Sequence, residues 1–395
     1  MRSRWWVVGA FAGLGVATQV SWLGYAAITT ESARYFGVGE GAVGWLANVF
    51  PLLFVALAVP AGVALDRFLR PTLAVGALLI AAGGIVRVLA DSYWGAFTGQ
   101  GLAAVAQPVL AGAITRVAAA YLAPEERPLG IAVGAGGTYV GMILAIGIGT
   151  AVPGDVPVVV GIGAGISVVT AVAGVVAVGV APGYGRGVAV SPLGVWREPG
   201  VVRLSAVVFL GMGIFVALAT WLEPLLAPRG IGADTSGLLL LAMLVAGVGG
   251  CVVVPPWAAR RRVEPRVLQS TGLVIAVVCL ALGLFPSATG FVVSPLLGFM
   301  LLSALPVALA MVERRDPDKA GPVTSLVWLA GNAGGLVVSL AVGWLLGAPL
   351  LAFGLLAVLG LAAAWLARLQ HHEDQVPGPG RHDQLAGGGE AAVRE

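Results

Sequence analysis

Charge is what this sequence has least of. Only 10% of its 395 residues are Asp, Glu, Lys or Arg, against about 25% in soluble domains. So few charges cannot cover a water-facing surface, which excludes a soluble globular fold. Lys319 is the sole lysine among 22 basic residues, and the three histidines all lie beyond residue 370. The two cysteines, Cys251 and Cys279, sit inside apolar stretches as VGGC and VVC. That is neither a disulfide framework nor a metal-ligand spacing. No nucleophile–base pair or metal cluster falls inside an apolar run, so an enzyme, a metal and a cofactor are not expected. No long basic run invites nucleic acid, and the net charge of +3 comes from scattered arginines.

What the chain does have is hydrophobic length, with 58% apolar residues. A membrane-crossing helix needs about 20 mostly apolar residues, and barrel strands would alternate in segments of about ten. By that measure twelve spans are expected, at roughly 5–29, 42–63, 71–90, 94–121, 129–151, 156–181, 201–225, 235–256, 267–285, 288–312, 321–346 and 348–368. The basic, apolar N-terminus MRSRWWVVGAFAGLGVA reads as an uncleaved first span. The Gly/Pro-rich stretch 181–200 divides the chain into an N-terminal bundle (1–180) and a C-terminal bundle (201–368). The polar, Gly-rich tail (369–395) is expected to be disordered. Arginine sets the orientation. Arg2, Arg4, Arg67, Arg70, Arg127, Arg186, Arg197, Arg203, Arg260, Arg261, Arg262, Arg266, Arg314, Arg315 and Lys319 fall on one side, and only Arg34, Arg87 and Arg229 on the other. The positive-inside rule then puts both termini in the cytoplasm of a multi-pass protein of the cell membrane.

Polar side chains inside the spans are few and mostly neutral. Gln19, Trp22 and Tyr25 recur three apart, Trp328 and Asn332 four apart, and Gln107 precedes Pro108 in AVAQPVLAG. An amide facing hydrocarbon without a partner costs several kcal/mol, so these groups face protein or a wet cavity. For Asn48 and Gln100, hydrogen bonding between helices is the simpler reading. Tyr25 lies nearer the membrane edge, where interface anchoring competes with ligand contact. Glu223 and Glu31 are the only acids placed to carry a coupled proton. Their positions at span ends favour facilitated diffusion or coupling to another gradient.

The halves echo each other. GVALDRFLR (62–70) follows the second span and PPWAARRR (255–262) the eighth. The first closely resembles the loop signature G-x-L-x-D-R-x-G-R of the major facilitator superfamily, with Leu69 in place of a glycine. The resemblance implies two six-helix bundles with both termini cytoplasmic and a functional monomer in the lipid bilayer. It further implies a cytoplasmic latch of Asp66, Arg67, Arg70 and Arg116 facing the start of the eleventh span. Spans 1, 4, 7 and 10 would line a central cavity, and glycine-rich spans 5, 8 and 11 would lie where the bundles slide. RWWVV, Q-x-x-W-x-x-Y-A-A-I, YFGVGEGAVGWLANVFPLLF and GQGLAAVAQPVLAGAITRVAAAYL resemble the branch that includes the feline leukaemia virus subgroup C receptor proteins. That likeness implies a secondary transporter of a small organic solute, an organic cation or amine such as choline. Trp22, Gln107, Asn332 and Trp328 would contact it, with Gln19, Tyr25 and Tyr139 beside them. The helix 7 tyrosines of that branch fall at Phe215 and Val216. A non-transporting membrane receptor of the same fold is the alternative.

Overall fold

The computed structural model describes residues 3–184, 199–315 and 320–375. Most of the connection between the halves, Lys319 and most of the tail lie outside them. The described chain forms twelve α-helices. In order they are α1 (Trp5–Leu23), α2 (Thr29–Phe36), α3 (Glu40–Leu89), α4 (Tyr93–Tyr121), α5 (Arg127–Ala151), α6 (Val156–Gly179), α7 (Pro199–Leu226), α8 (Ala233–Arg261), α9 (Glu264–Leu284), α10 (Pro286–Arg315), α11 (Ala320–Gly343) and α12 (Pro349–Gln375). All but α2 are long and apolar enough to cross a membrane.

α3 holds two crossings. Its 50 residues are helical except at Phe68 (φ −137°, ψ 55°). A straight helix would put Leu46 and Arg87 about 60 Å apart at 1.5 Å per residue. Yet the Gln100 side chain bonds both, donating to the Leu46 carbonyl at 3.1 Å and accepting from Arg87 at 3.2 Å. The chain therefore doubles back at Phe68. The turn expected over 64–70 is compressed into one non-helical residue, and Thr72 Oγ1 braces it by donating to the Ala64 carbonyl at 3.2 Å. The matching place in the second half is a true break. Arg262 turns into the left-handed region (φ 54°) and caps α8 with its N–H, before α9 starts at Glu264.

Two further boundaries differ from expectation. The first crossing ends at Leu23, not residue 29, because the chain turns through 24–28 and restarts as the short α2. α12 runs on to Gln375, into the stretch expected to be tail.

Within each half, helices touch backbone to backbone. α5 lies on α1 so closely that a Cβ at Gly137 or Gly141 would fall 2.4 Å from the Ala12 or Val16 carbonyl oxygen. Small residues permit such approach where lipid offers no hydrophobic drive. These glycines were expected at the sliding seam, but they bind α5 to its own half. One end of the bundle, the base, gathers the start of α1, the Phe68 reversal and the ends of α4 and α6. There the Arg4 N–H bonds the Tyr121 carbonyl at 3.0 Å. Arg70 caps α6 by donating to the Val178 and Gly179 carbonyls at 2.7 Å each. The far end carries α2 and the turns α3–α4, α5–α6 and α7–α8.

Arg87 is not a loop charge. It is 5% exposed, near the far end of α3. Its Nη2 donates to Ser21 Oγ at 3.1 Å, and Gln100 Nε2 donates to the Ser21 carbonyl at 2.8 Å. Together these bonds tie α1, α4 and both limbs of α3. Gln100 thus bonds between helices, as its position in the sequence suggested.

Candidate functional site

The halves meet along α3–α11, along α5–α8, and where α2 and α3 reach α7. At the far end this seam is shut. Trp221 of α7 is 2% exposed. Its indole N–H donates to the carbonyl and hydroxyl of Ser339 on α11 at 2.7 and 3.0 Å. The ring lies flush on the α3 backbone, where a Cβ at Gly44 would sit 1.7 Å from Trp221 Cη2. The other seam repeats the device: a Cβ at Gly237 of α8 would meet Thr150 Oγ1 of α5 at 2.2 Å. Gly44 and Gly237 are each the fifth residue of their helices, so the closure follows the internal repeat of the chain.

Glu223 joins the same closure. It is 1% exposed and accepts the Thr30 backbone N–H at 3.0 Å. Thr30 lies in the first turn of α2, which has no side-chain cap of its own. The carboxylate of one half therefore satisfies an orphan N–H at a helix start in the other, where the helix dipole also favours an anion. Glu40 accepts the Thr30 hydroxyl at 2.9 Å, while Glu31 pairs with Arg34 at 3.2 Å on the rim. Replacing Glu223 by Ala is expected to weaken far-end closure by about 1 kcal/mol, the usual worth of an N-cap. Glu223→Gln keeps an acceptor oxygen and should keep most of the closure. Distances between spin labels at Arg34 and Arg229 test the pair, and equal distributions for both variants would remove Glu223 from the closure.

Below the shut seam lies a layer of mid-height residues. Gln107 is the middle residue of α4 and Tyr139 the middle residue of α5, and Asn332 falls at the midpoint of α11. Trp22 meets Phe215 of α7 edge to face, with ring centroids 6.3 Å apart at 63°. An aromatic thus faces Trp22 from the opposite half at a position where the resembled branch has a helix 7 tyrosine. Trp22 and Phe215 share a core cluster with Ala103 and Ala104, one turn from Gln107, and Tyr139 packs against it. Tyr139 closes the α5–α8 seam at this level, its hydroxyl accepting from Cys251 Sγ at 3.5 Å. Three polar atoms here are buried with no hydrogen-bond partner among the described residues: Gln19 Oε1, Trp22 Nε1 and Gln107 Oε1. An unpartnered buried polar atom costs about 1–3 kcal/mol, so these three are costly where they stand.

Other expected site residues lie elsewhere. Tyr25 falls past the end of α1, its ring against Phe36 of α2 at 6.1 Å, in a separate cluster at the far end. The face shared by Gln19 and Trp22 therefore does not extend to it. Asn332 donates back to the Trp328 carbonyl of its own helix at 3.0 Å, and Trp328 is 37% exposed. At the base, Arg116 grips Asp66 through Nη2 at 2.6 Å and Nε at 2.8 Å, joining α4 to the Phe68 reversal. This pair lies wholly within the N-terminal half. The residues just before α11, where the latch would meet the other half, lie outside the described chain. Arg70 holds α6, and Arg67 is exposed. Trp221, Gly44 and Phe215 were not singled out as site residues by sequence, although an indole in the seventh span was a visible signal.

Comparison with known proteins agrees with this architecture. A family model described as Major Facilitator Superfamily matches residues 5–339. An uncharacterized protein of Archaeoglobus fulgidus is 33% identical over 151 residues, which is 37% of this chain and 68% of that protein. The choline/ethanolamine transporter flvcr2b of Danio rerio is 28% identical over 110 residues, which is 27% of this chain and 23% of its own length. Among solved structures, a bacterial homolog of the human lysosomal transporter Spinster, in an inward-facing and occupied conformation, superposes with a TM-score of 0.74 at 14% identity. It covers 96% of this chain and 99% of that one.

Proposed function

The chain belongs to the Major Facilitator Superfamily, and from that premise we propose that it carries a small organic solute across the cell membrane by alternating access, with the arginine-rich base in the cytoplasm. The observation that carries this reading is the mid-height layer between the halves. There Gln107, Gln19 and Trp22 hold buried polar atoms with no hydrogen-bond partner among the described residues. Superfamily sites lie near the bilayer midplane between repeats, and Gln107 and Tyr139 centre their helices at that level. On this reading the far-end closure by Trp221, Gly44 and Glu223 seals the outer side of the site.

The solute class we infer is an organic cation or amine of choline size. A quaternary ammonium is held by ring faces and needs no carboxylate. The Trp22–Phe215 pair offers rings from both halves, and Gln107 offers an amide oxygen. The similarity to flvcr2b supports the same class. Asp66 and Arg116, which already pair with each other while the far end is shut, are assigned to a base latch that would meet the opposite half when the far end opens. Trp328 and Asn332 are assigned to the cavity wall on the opposite half. No step of this cycle makes or breaks a covalent bond.

A thermal-shift screen of the detergent-purified chain against choline, ethanolamine, other amines, vitamins and carboxylates tests the proposal. Choline or a related amine should stabilise the wild type, and Trp22→Ala or Gln107→Ala should weaken binding about 10-fold or more, the equivalent of one lost cation–π or polar contact. A stabilising hit that neither substitution moves would sink the site assignment.

A further inference from the structure

The two copies of the basic turn at the base are not used alike. In the first, Arg116 holds Asp66 and Arg70 caps α6. In the second, Arg260, Arg261, Arg262 and Arg266 are all exposed, and none of them is in an ion pair among the described residues. Glu264, the nearest acid in sequence, is fully buried. Cations without a counter-charge thus crowd the point where α8 ends at the membrane surface.

An open groove of about 380 Å³ runs from these charges toward the membrane interior, lined by Val253, Pro256, Trp257, Arg260 and Arg261. Trp257 is 48% exposed, and the Arg261 guanidinium lies over its ring, 5.8 Å from the centroid. This cation–π contact sets an indole wall beside the charged end. Apolar side chains continue the groove along α8. Val245 and Val252 are exposed two turns apart on one face, and Val253 is exposed beside them. From Trp257 to Val245 is about 18 Å at 1.5 Å per residue, against about 15 Å for the hydrocarbon of one leaflet. Cations at the surface, an indole at the interface and an apolar row beyond them match the shape of a single amphiphile.

We propose that this groove binds one anionic phospholipid of the leaflet at the base, its phosphate between Arg260 and Arg261, its glycerol region against Trp257 and an acyl chain along Val253, Val252 and Val245. Charge complementarity selects an anionic headgroup over a zwitterionic one. The lipid supplies the negative charge that the second copy of the turn lacks and the first copy finds in Asp66. Diffuse attraction of a basic turn to an anionic surface would need neither the groove nor the indole.

Native mass spectrometry of the full-length detergent-purified protein, titrated with dioleoylphosphatidylglycerol or dioleoylphosphatidylcholine, tests this. Phosphatidylglycerol should saturate one site at concentrations where phosphatidylcholine does not. Arg260→Gln and Arg261→Gln should each raise its apparent Kd about fivefold. Trp257→Ala, which keeps every charge, should raise it as well. Arg67→Gln, at the exposed arginine of the first copy, should leave it unchanged. If the arginine variants do not fold, Trp257→Ala and competition by inorganic phosphate decide. The proposal is overturned by equal uptake of the two lipids or by a Trp257→Ala protein that binds as the wild type does. Equal losses in Arg67→Gln and Arg260→Gln would overturn it in favour of diffuse surface charge, and displacement of the lipid by inorganic phosphate in favour of a site for free anions.

Discussion

Gly44→Ala should force the two halves apart at the far end. The added methyl would sit 1.7 Å from Trp221 Cη2 and 2.3 Å from Cζ2, well inside van der Waals contact. The indole has no easy retreat. Its N–H is fixed on Ser339 at 2.7 Å, and the same Cζ2 lies where a Cβ at Gly343 would approach within 2.9 Å. The backbone must yield, and the cheapest movement separates α3 from α7. Overpacking of this kind costs about 1–3 kcal/mol. Charged to the closed state alone, it shifts the balance toward far-end opening by about 5- to 150-fold. Gly237→Ala should act in the same direction through Thr150, and the double variant should exceed either single one. Gly41→Ala, where nothing lies within 4 Å of the new methyl, is the control. Spin-label distances between Arg34 and Arg229 should lengthen in Gly44→Ala and stay put in Gly41→Ala. Identical distances in both would mean that Trp221 does not hold the seam.

Gln100→Leu should be the most destabilising conservative-volume change in the N-terminal half. Gln100 is fully buried. It donates to the Ser21 and Leu46 carbonyls at 2.8 and 3.1 Å and accepts from Arg87 at 3.2 Å. Leucine fits the space but removes all three bonds, including one of the few acceptors available to a buried cation. Hydrogen bonds within membranes average about 0.6 kcal/mol, while one to a charged group is worth about 1.5–3 kcal/mol. The sum is a loss of about 3 kcal/mol, seen as a lower unfolding temperature in detergent. Asn48→Leu offers the contrast. That amide donates only to Gly44 of its own helix at 3.0 Å and leaves its oxygen unpartnered, so its removal should cost less than about 1 kcal/mol. A Gln100→Leu protein as stable as Asn48→Leu would show that the Arg87 network does not hold the bundle.

The crossings were legible because hydrophobic length is a property of single segments. The reversal at Phe68 was not, since Asp66, Arg67 and Arg70 look like a loop in any composition window. Their role emerges only when Arg70 caps α6 and Arg116 grips Asp66. Arg87 was misjudged for the same reason. Near a helix end it reads as a topogenic charge, and only the fold brings Gln100 and Ser21 to it. α2 was hidden because the first apolar run continues to residue 28, while Gly24 and the turn after it stop the helix earlier. Gln19, Trp22, Gln107 and Tyr139 could be picked out as polar residues in greasy helices. Their meeting with Phe215 depends on how the halves dock, which no local pattern encodes.

The seam at Cys251 has a practical corollary. The chain carries two thiols. Cys279 is fully buried, whereas Cys251 is only partly so and sits where α5 and α8 touch, its sulfur against the Tyr139 hydroxyl. Maleimide chemistry on the unaltered protein should therefore label one position, and its rate should rise whenever the α5–α8 contact loosens. The molecule comes with its own kinetic probe of the transport cycle, and the effect of a solute on seam opening can be timed without engineering a single residue.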